Sequence, residues 1–406
     1  MRKDVFWNSI GTATWSFLSL FLLIIVTRVN GLEDSGIFSF GFAFALIMFT
    51  VACYGGRTYQ VSDHNNVFST NAYIALRLYT SLAVIAMSMI FILTNGYEFQ
   101  KAVVILLLVL HRVFDAGSDV LYGIMQKKQH LYVAGKSLFF KSALSLLTFL
   151  AIDAATGSLL LSTLSLPLIS LTFLVCYDIP HAKSLEKITI RAKFSGIDKI
   201  LKSTFLPFAI AVMGLIFVNL ARYFIDIYHP ASQGHFGILI MPLSLVILLF
   251  SFILTPAVLH LSDSYHARRL TIMNQLVMKI TATMVVASIP IYLATYFFGV
   301  PLLHLLFGVS FEPYVIDIIL VITIGLAISL TSLFTNIAVI ARKLYATAII
   351  YTASIALLAF LCTLLVESYK IRGAIIAYVI VSVVQMLAMG AYYFYLLRHQ
   401  RLSKNS

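Results

Sequence analysis

The sequence carries little charge for its length. Of 406 residues only 11% are Asp, Glu, Lys or Arg, whereas 61% are hydrophobic, and the mean hydropathy is +0.97. A water-soluble protein typically carries charge on about 25% of its residues. This chain has too few polar residues to cover itself in water, which excludes a soluble globular protein and predicts an all-α integral membrane protein.

Cysteines and catalytic motifs are also scarce. The three cysteines, Cys53, Cys176 and Cys362, lie within apolar runs and lack metal-ligand spacing, so we interpret them as buried packing residues. The chain contains no Gly-rich phosphate loop, no His/Cys metal spacing and no GxSxG elbow. We therefore expect no catalytic residue, no metal site, no cofactor and no enzymatic activity.

The long apolar runs predict twelve membrane-spanning helices, each of about 20 residues. Clusters of charge, Gly, Pro and Asn separate them. The predicted spans are residues 6–29, 37–61, 73–94, 100–125, 133–152, 157–178, 204–226, 236–260, 277–298, 315–340, 344–366 and 371–396.

Basic residues predict the orientation of these spans. The formal net charge is +12, and in a membrane protein Lys and Arg concentrate in cytoplasmic loops. With the N-terminus inside, the outer loops hold only Lys101, Lys370 and Arg372. We therefore expect both termini on the cytoplasmic side of the membrane. The excess positive charge is read as membrane contact and not as nucleic-acid binding.

A long basic segment after the sixth span divides the chain. We predict an N-terminal six-helix lobe over 1–180, a cytoplasmic linker over 181–203, a C-terminal six-helix lobe over 204–396 and a cytoplasmic tail over 397–406. The linker suits either an interfacial helix or a solvated connection. Similar residue order in the two halves suggests a duplication, with lobes related by a pseudo-two-fold axis along the membrane normal.

The fourth predicted span has one ionisable face. At about 100° per residue, His111, Arg112, Asp115 and Asp119 share an arc with Tyr122, whereas Val113, Gly117, Val120 and Leu121 take the other side. Charges at bilayer depth must be paired or must face a polar interior. Two interpretations stay open: Arg112 pairs with Asp115 or Asp119 to hold helices together, or the face lines a substrate cavity.

Basic residues recur on the neighbouring spans. The fifth span carries Lys136 and Lys141, and Arg77 and Arg57 lie near the predicted inner ends of the third and second spans. Lys136, Arg77 and Arg57 either extend to the membrane surface or add positive charge to the same cavity, whereas Lys141 lies too deep to reach the surface easily. The first span adds a polar stripe that includes Asn8, Thr12 and Ser16, which can line a sugar-compatible cavity or mediate helix packing.

With these features the chain resembles the polysaccharide repeat-unit flippases (Wzx-type, for O-antigen, capsule or exopolysaccharide) of the multidrug/oligosaccharidyl-lipid/polysaccharide exporter (MOP) superfamily. The resemblance covers the whole length and is carried most clearly by residues 8–44 and 112–150. It implies a V-shaped, two-lobe transporter with a central cationic cavity. The implied substrate is an undecaprenyl-diphosphate-linked oligosaccharide, moved outward by alternating access, and the implied partners include polysaccharide polymerase or co-polymerase proteins.

The resemblance also suggests roles for individual residues. Arg112, Asp115, Asp119, Gln126, Lys136 and Lys141 stand where polar positions of the family's fourth and fifth spans fall. We hypothesise that Lys141 and Arg112 engage the diphosphate, supported by Lys136, Arg77 and Arg57. Asp115, Asp119, His111, Asn8, Thr12 and Ser16 would balance charge or supply polar contacts.

Two other functions remain as alternatives. A cation-coupled drug antiporter of the same superfamily would need a buried carboxylate without competing basic groups. A membrane-embedded polymerase or ligase of lipid-linked sugars would need a long outer loop, and the predicted outer loops are short.

Overall fold

The computed structural model describes residues 2–63, 68–188 and 197–402. Within these ranges the chain is helical and contains no strand. We number the twelve long helices α1 to α12. They are α1 Arg2–Val29, α2 Leu32–Cys53, α3 Thr70–Asn95, α4 Phe99–Lys127, α5 Leu131–Thr156, α6 Leu159–Leu185, α7 Ile197–Tyr228, α8 Met241–His266, α9 Leu270–Phe307, α10 Val315–Ile340, α11 344–369 and α12 371–402.

Twelve helices of membrane-spanning length confirm the predicted fold class. Ten segments in the described ranges are long and apolar enough to cross a bilayer. The last of these, Leu344–Arg398, comprises α11 and α12, because Lys370 departs from helical geometry at φ 51°. Helix α4 supplies the remaining span; its length matches the others, and its interior carries the ionisable face described above.

The second span differs from its prediction over 37–61. Helix α2 ends at Cys53 because Tyr54 and Gly55 adopt left-handed backbone conformations. The chain then forms a separate short helix, Gly56–Ser62. Arg57 therefore lies at the start of a new helix and is no continuation of the apolar span.

The cysteines only partly match the expectation of burial. Cys362 is buried and Cys53 is half-buried, but Cys176 is exposed on α6. The prediction was wrong for Cys176 because an apolar neighbourhood in sequence is also what a lipid-facing helix surface requires.

Two compact units divide the chain, Met1–Leu215 and Ile216–Ser406, so the division falls inside α7. In the first unit α1 packs along α5, and α4 contacts α2, α3 and α6. The central position of α4 explains why its polar face is buried. Both neighbouring helices extend into the predicted linker over 181–203, α6 as far as Leu185 and α7 from Ile197. Residues 189–196 of that linker, and residues 403–406 of the predicted tail, lie outside the described ranges.

Candidate functional site in the N-terminal unit

The polar face of α4 holds two carboxylates, Asp115 and Asp119, one helical turn apart. Each is surrounded by cations from other helices or from α4 itself. We call the groups around them the Asp115 cluster (Trp15, His111, Arg112, Asp115, Lys141 and Ser170) and the Asp119 cluster (Arg57, Arg77, Asp119 and Gln126).

The Asp115 cluster is closed to solvent. Lys141 Nζ lies 2.6 Å from Asp115 Oδ1, and Arg112 Nη1 lies 3.0 Å from Asp115 Oδ2. All three side chains are only 2–3% exposed. The Trp15 indole N–H donates to the same carboxylate at 3.3 Å. One buried carboxylate therefore ties together α1, α4 and α5.

Aromatic rings and a second polar group complete this cluster. The Arg112 guanidinium lies 4.8 Å from the Trp15 ring centroid and 4.7 Å from that of Phe42. On the α6 side, His111 Nδ1 is 2.7 Å from the Ser170 hydroxyl. The ring contacts add cation–π attraction to the ion pair of the buried Arg112, in a low-dielectric interior where an unpaired charge is costly.

The Asp119 cluster is more accessible. Arg57 Nη1 lies 3.3 Å from Asp119 Oδ1, and Arg77 Nη2 lies 3.0 Å from Asp119 Oδ2. Arg57 also donates to Gln126 Oε1 at 3.1 Å. The Arg57 side chain is 27% exposed, whereas Arg77 is 5% exposed and donates to the Ala52 carbonyl oxygen at the end of α2. Arg57 is thus the most accessible cation of the two clusters.

Sequence reasoning did not single out Asp178, which lies at the end of the π-helical turn Leu174–Asp178 of α6. Asp178 is fully buried, and the Tyr122 hydroxyl links it to α4 and α5, with the hydroxyl 3.4 Å from Asp178 Oδ2 and 2.8 Å from Ser137 Oγ. Its position at the predicted end of a span gave it the pattern of an ordinary interfacial residue. Its formal charge offsets the single excess positive charge around Asp115.

The remaining predicted site residues lie outside the two clusters. Lys136 is half-buried beside α1, with its ammonium 5.3 Å from the Trp7 ring centroid. On α1, Thr12 is exposed and Asn8 and Ser16 are half-buried; their side chains form no recorded hydrogen bond to other described residues. The structure thus brings together seven predicted residues, and leaves four, Lys136, Asn8, Thr12 and Ser16, along the α1–α5 side of the unit.

The arrangement has an electrostatic consequence. Each α4 carboxylate faces two permanent cations, so each cluster carries one excess positive charge. Asp178 offsets one of them, and the excess at Asp119 remains beside a partly exposed arginine. A site with this excess positive charge attracts an anion and repels a cation.

The chain is similar to known proteins both in sequence and in fold. No protein-family model matches the sequence. A capsular polysaccharide biosynthesis protein of Staphylococcus aureus, CapF, is 24% identical over 384 residues, which cover 92% of this chain and 93% of that protein.

Solved structures share the fold along nearly the whole chain. An inward-facing multidrug resistance transporter of the MATE family, in the MOP superfamily, matches with a TM-score of 0.73 at 12% identity, over 98% of this chain and 99% of the other. The lipid II flippase MurJ in an inward closed conformation matches with a TM-score of 0.72 at 16% identity, over 94% of this chain and 86% of the other. The chain therefore shares its fold with transporters of the MOP superfamily along nearly its whole length, which agrees with the resemblance noted from sequence and with a multi-pass membrane protein.

Proposed function

We propose that this protein is a flippase that moves undecaprenyl-diphosphate-linked oligosaccharide repeat units from the inner to the outer leaflet of a bacterial cell membrane. The observation that carries the proposal is the excess positive charge at the partly exposed Asp119 cluster. The full-length similarity to a capsular polysaccharide biosynthesis protein and the shared fold with a lipid II flippase support it. On this proposal the protein forms no covalent bond and is no enzyme.

In this proposal Arg57 makes the first contact with the diphosphate. Its side chain is partly exposed, so a ligand can reach it, and its guanidinium can form two parallel hydrogen bonds to a phosphate. Asp119 holds Arg57 and Arg77 in place while the site is empty, and a diphosphate would compete with Asp119 for the same donors.

Arg112 and Lys141, the residues expected from sequence to bind the diphosphate, have a different environment. Both are buried and already paired with Asp115, so a ligand there would have to replace that carboxylate. Their substrate contact stays a prediction. We assign them to holding α1, α4 and α5 together through Asp115.

The driving force is consistent with outward movement of an anion. With an inside-negative potential, each negative charge that crosses outward gains about 2.3 kcal/mol per 100 mV. A diphosphate head therefore gains from the membrane potential alone, and a coupled cation can add to this.

The drug-antiporter alternative fits the site less well. An organic cation requires a carboxylate that is free to meet it, whereas Asp115 and Asp119 are each already bound by two cations.

Substitution of Arg57 tests the proposal. In a strain that lacks the chromosomal gene, we expect Arg57→Ala to reduce export at least tenfold and Arg57→Glu to abolish it, because the first phosphate contact is lost or repelled. Arg57→Lys should retain part of the activity, since an ammonium keeps the charge but not the bidentate geometry. The measurements are the amount of lipid-linked repeat units accumulated at the inner leaflet and the amount of protein in the membrane.

Arg398→Ala is the matched control, because Arg398 is an exposed basic residue near the end of α12. It should export normally. Normal export by Arg57→Glu at normal protein level would rule out the assigned contact, and the absence of any accumulation in the deletion strain would rule out the function.

A further inference from the structure

A second feature of α4 lies on its apolar face, on the other side of the helix from Asp115 and Asp119. There a cleft of about 270 Å³ runs between α3, α4 and the end of α6. Its walls are apolar, with Val113, Gly117 and Val120 from α4 and Leu174 from α6. At its edge Leu78 of α3 is 44% exposed, so the cleft borders the lipid-facing surface.

The dimensions of the cleft suit a chain better than a compact molecule. Pockets for drug-sized ligands measure roughly 300–1,000 Å³, and this cleft is smaller. Its α6 wall runs from Leu174 to Lys183, which at a rise of about 1.5 Å per residue is about 13 Å. A single hydrocarbon chain fills a long, narrow, apolar space of this kind.

A cation lies at one end of the cleft. Lys183 lines it and is exposed, and its ammonium forms no ion pair with any residue that the structure describes. The side chain of Arg77 also lines the cleft, although its guanidinium reaches Asp119. An apolar slot that ends at a lysine complements an amphiphile with an anionic head.

We propose that this cleft binds an anionic phospholipid of the bilayer, with one acyl chain between α3, α4 and α6 and the phosphate at Lys183. The polyprenyl chain of a substrate held at Arg57 is a poorer fit, because Arg57 contacts the polar face of α4 and the cleft lies on its apolar face. Bound lipid would pack against the stem of Arg77 and so help to hold one member of the Asp119 cluster. This inference goes beyond the proposed transport function and does not depend on it.

Photolabelling of the full-length protein tests the proposal. The protein is placed in phosphatidylcholine nanodiscs with phosphatidylglycerol that carries a diazirine on one acyl chain, and labelled peptides are mapped. The same experiment with diazirine-labelled phosphatidylcholine measures the effect of the head group. We expect labelling of α3, α4 and α6 at the cleft, with phosphatidylglycerol preferred.

Two variants separate the chain from the head group. Ser81→Leu adds bulk inside the cleft and should reduce labelling at least fivefold, whereas Leu82→Phe adds bulk on the exposed side of the same helix and should not. Lys183→Gln should reduce the preference for phosphatidylglycerol about fivefold, the factor that corresponds to one basic residue near a membrane surface. Lys187→Gln, an exposed lysine outside the cleft, should leave the preference unchanged. Lys183→Gln alters only an exposed side chain, so it decides the question even if Ser81→Leu fails to fold.

Three results would overturn the proposal: labelling spread evenly over the lipid-facing helices, equal labelling by the two lipids, or displacement of the label by an equimolar polyprenyl diphosphate. The last result would assign the cleft to the substrate. Because the experiment measures binding and not export, its failure would leave the flippase proposal untouched.

Discussion

At the scale of single residues, Asp115 is a buried carboxylate on which several side chains of the N-terminal unit converge. Its carboxylate forms ion pairs with Lys141 and Arg112 and accepts a hydrogen bond from Trp15, and it is almost fully buried. Burial of an ion pair costs desolvation energy, and even with good geometry the attraction between the charges does little more than offset this cost. Removal of one partner, by contrast, leaves an uncompensated buried charge. The cost of a substitution here therefore depends on which charge remains.

This dependence gives a ranked prediction. Asp115→Asn removes the carboxylate that pairs directly with both Arg112 and Lys141 and should destabilise the protein by about 3–5 kcal/mol. Lys141→Met should cost less than half as much, because Arg112 still neutralises Asp115 and Met fills a similar volume. Thermal unfolding of the purified variants in detergent measures both. The reverse order would show that Asp115 is not the centre of the cluster.

Lys141→Met also tests whether Lys141 only holds helices together or contacts the substrate directly. If Lys141 only holds helices together, a variant that remains folded should export repeat units at close to the normal rate. Loss of export with normal stability and normal amount in the membrane would instead support the direct diphosphate contact expected from the sequence.

At the scale of helices, the crossing of α1 and α5 depends on two glycines. A Cβ on Gly135 would lie 2.4 Å from the carbonyl carbon of Trp7, and one on Gly11 would lie 2.3 Å from the carbonyl oxygen of Gly135. Small residues allow membrane helices to approach closely, where packing supplies the main attraction. The close approach brings Trp15 of α1 and Lys141 of α5 to the same carboxylate.

Gly135→Ala should therefore destabilise the N-terminal unit by about 1–3 kcal/mol, the usual cost of overpacking. The direction of the stability change is informative, because Ala is favoured over Gly inside a helix by about 1 kcal/mol when space allows. Gly390→Ala is the control, since a Cβ there would meet the Phe334 ring at an ordinary 3.5 Å. Thermal unfolding should show a loss for Gly135→Ala alone; a gain for both variants would contradict the described crossing.

At the scale of the whole molecule, the distribution of basic residues predicts how the helices are oriented in the membrane. The predicted cytoplasmic loops are basic except for residues 62–72, whereas the loops after α3 and α5, around Gly96 and Gly157, lie on the predicted outer side. An even number of spans places both termini on one side.

Reporter fusions test this orientation. Alkaline phosphatase fused after Gly96 or Gly157 should be active, because it folds only outside the cytoplasm, and green fluorescent protein at the C-terminus should fluoresce. Active phosphatase at the C-terminus would reverse the predicted orientation and with it the direction of transport proposed above.

The sequence by itself determined the class of protein, the number of spans and the polar face of α4. These features depend on composition, on runs of about 20 apolar residues and on a 100° periodicity, which are local properties that the bilayer imposes. The second span was misplaced at its end, because two left-handed residues, Tyr54 and Gly55, end α2 inside an otherwise continuous pattern.

Only the tertiary structure decided how the charges are paired. Helical spacing allowed Arg112 to meet either Asp115 or Asp119. In the structure α5 brings Lys141 to Asp115, the short helix after α2 and α3 bring Arg57 and Arg77 to Asp119, and Arg112 pairs with Asp115 on its own helix. It also decided which cations are buried and which is accessible. The physical reason is that burial and long-range ion pairs depend on contacts between helices distant in sequence, which local patterns do not specify.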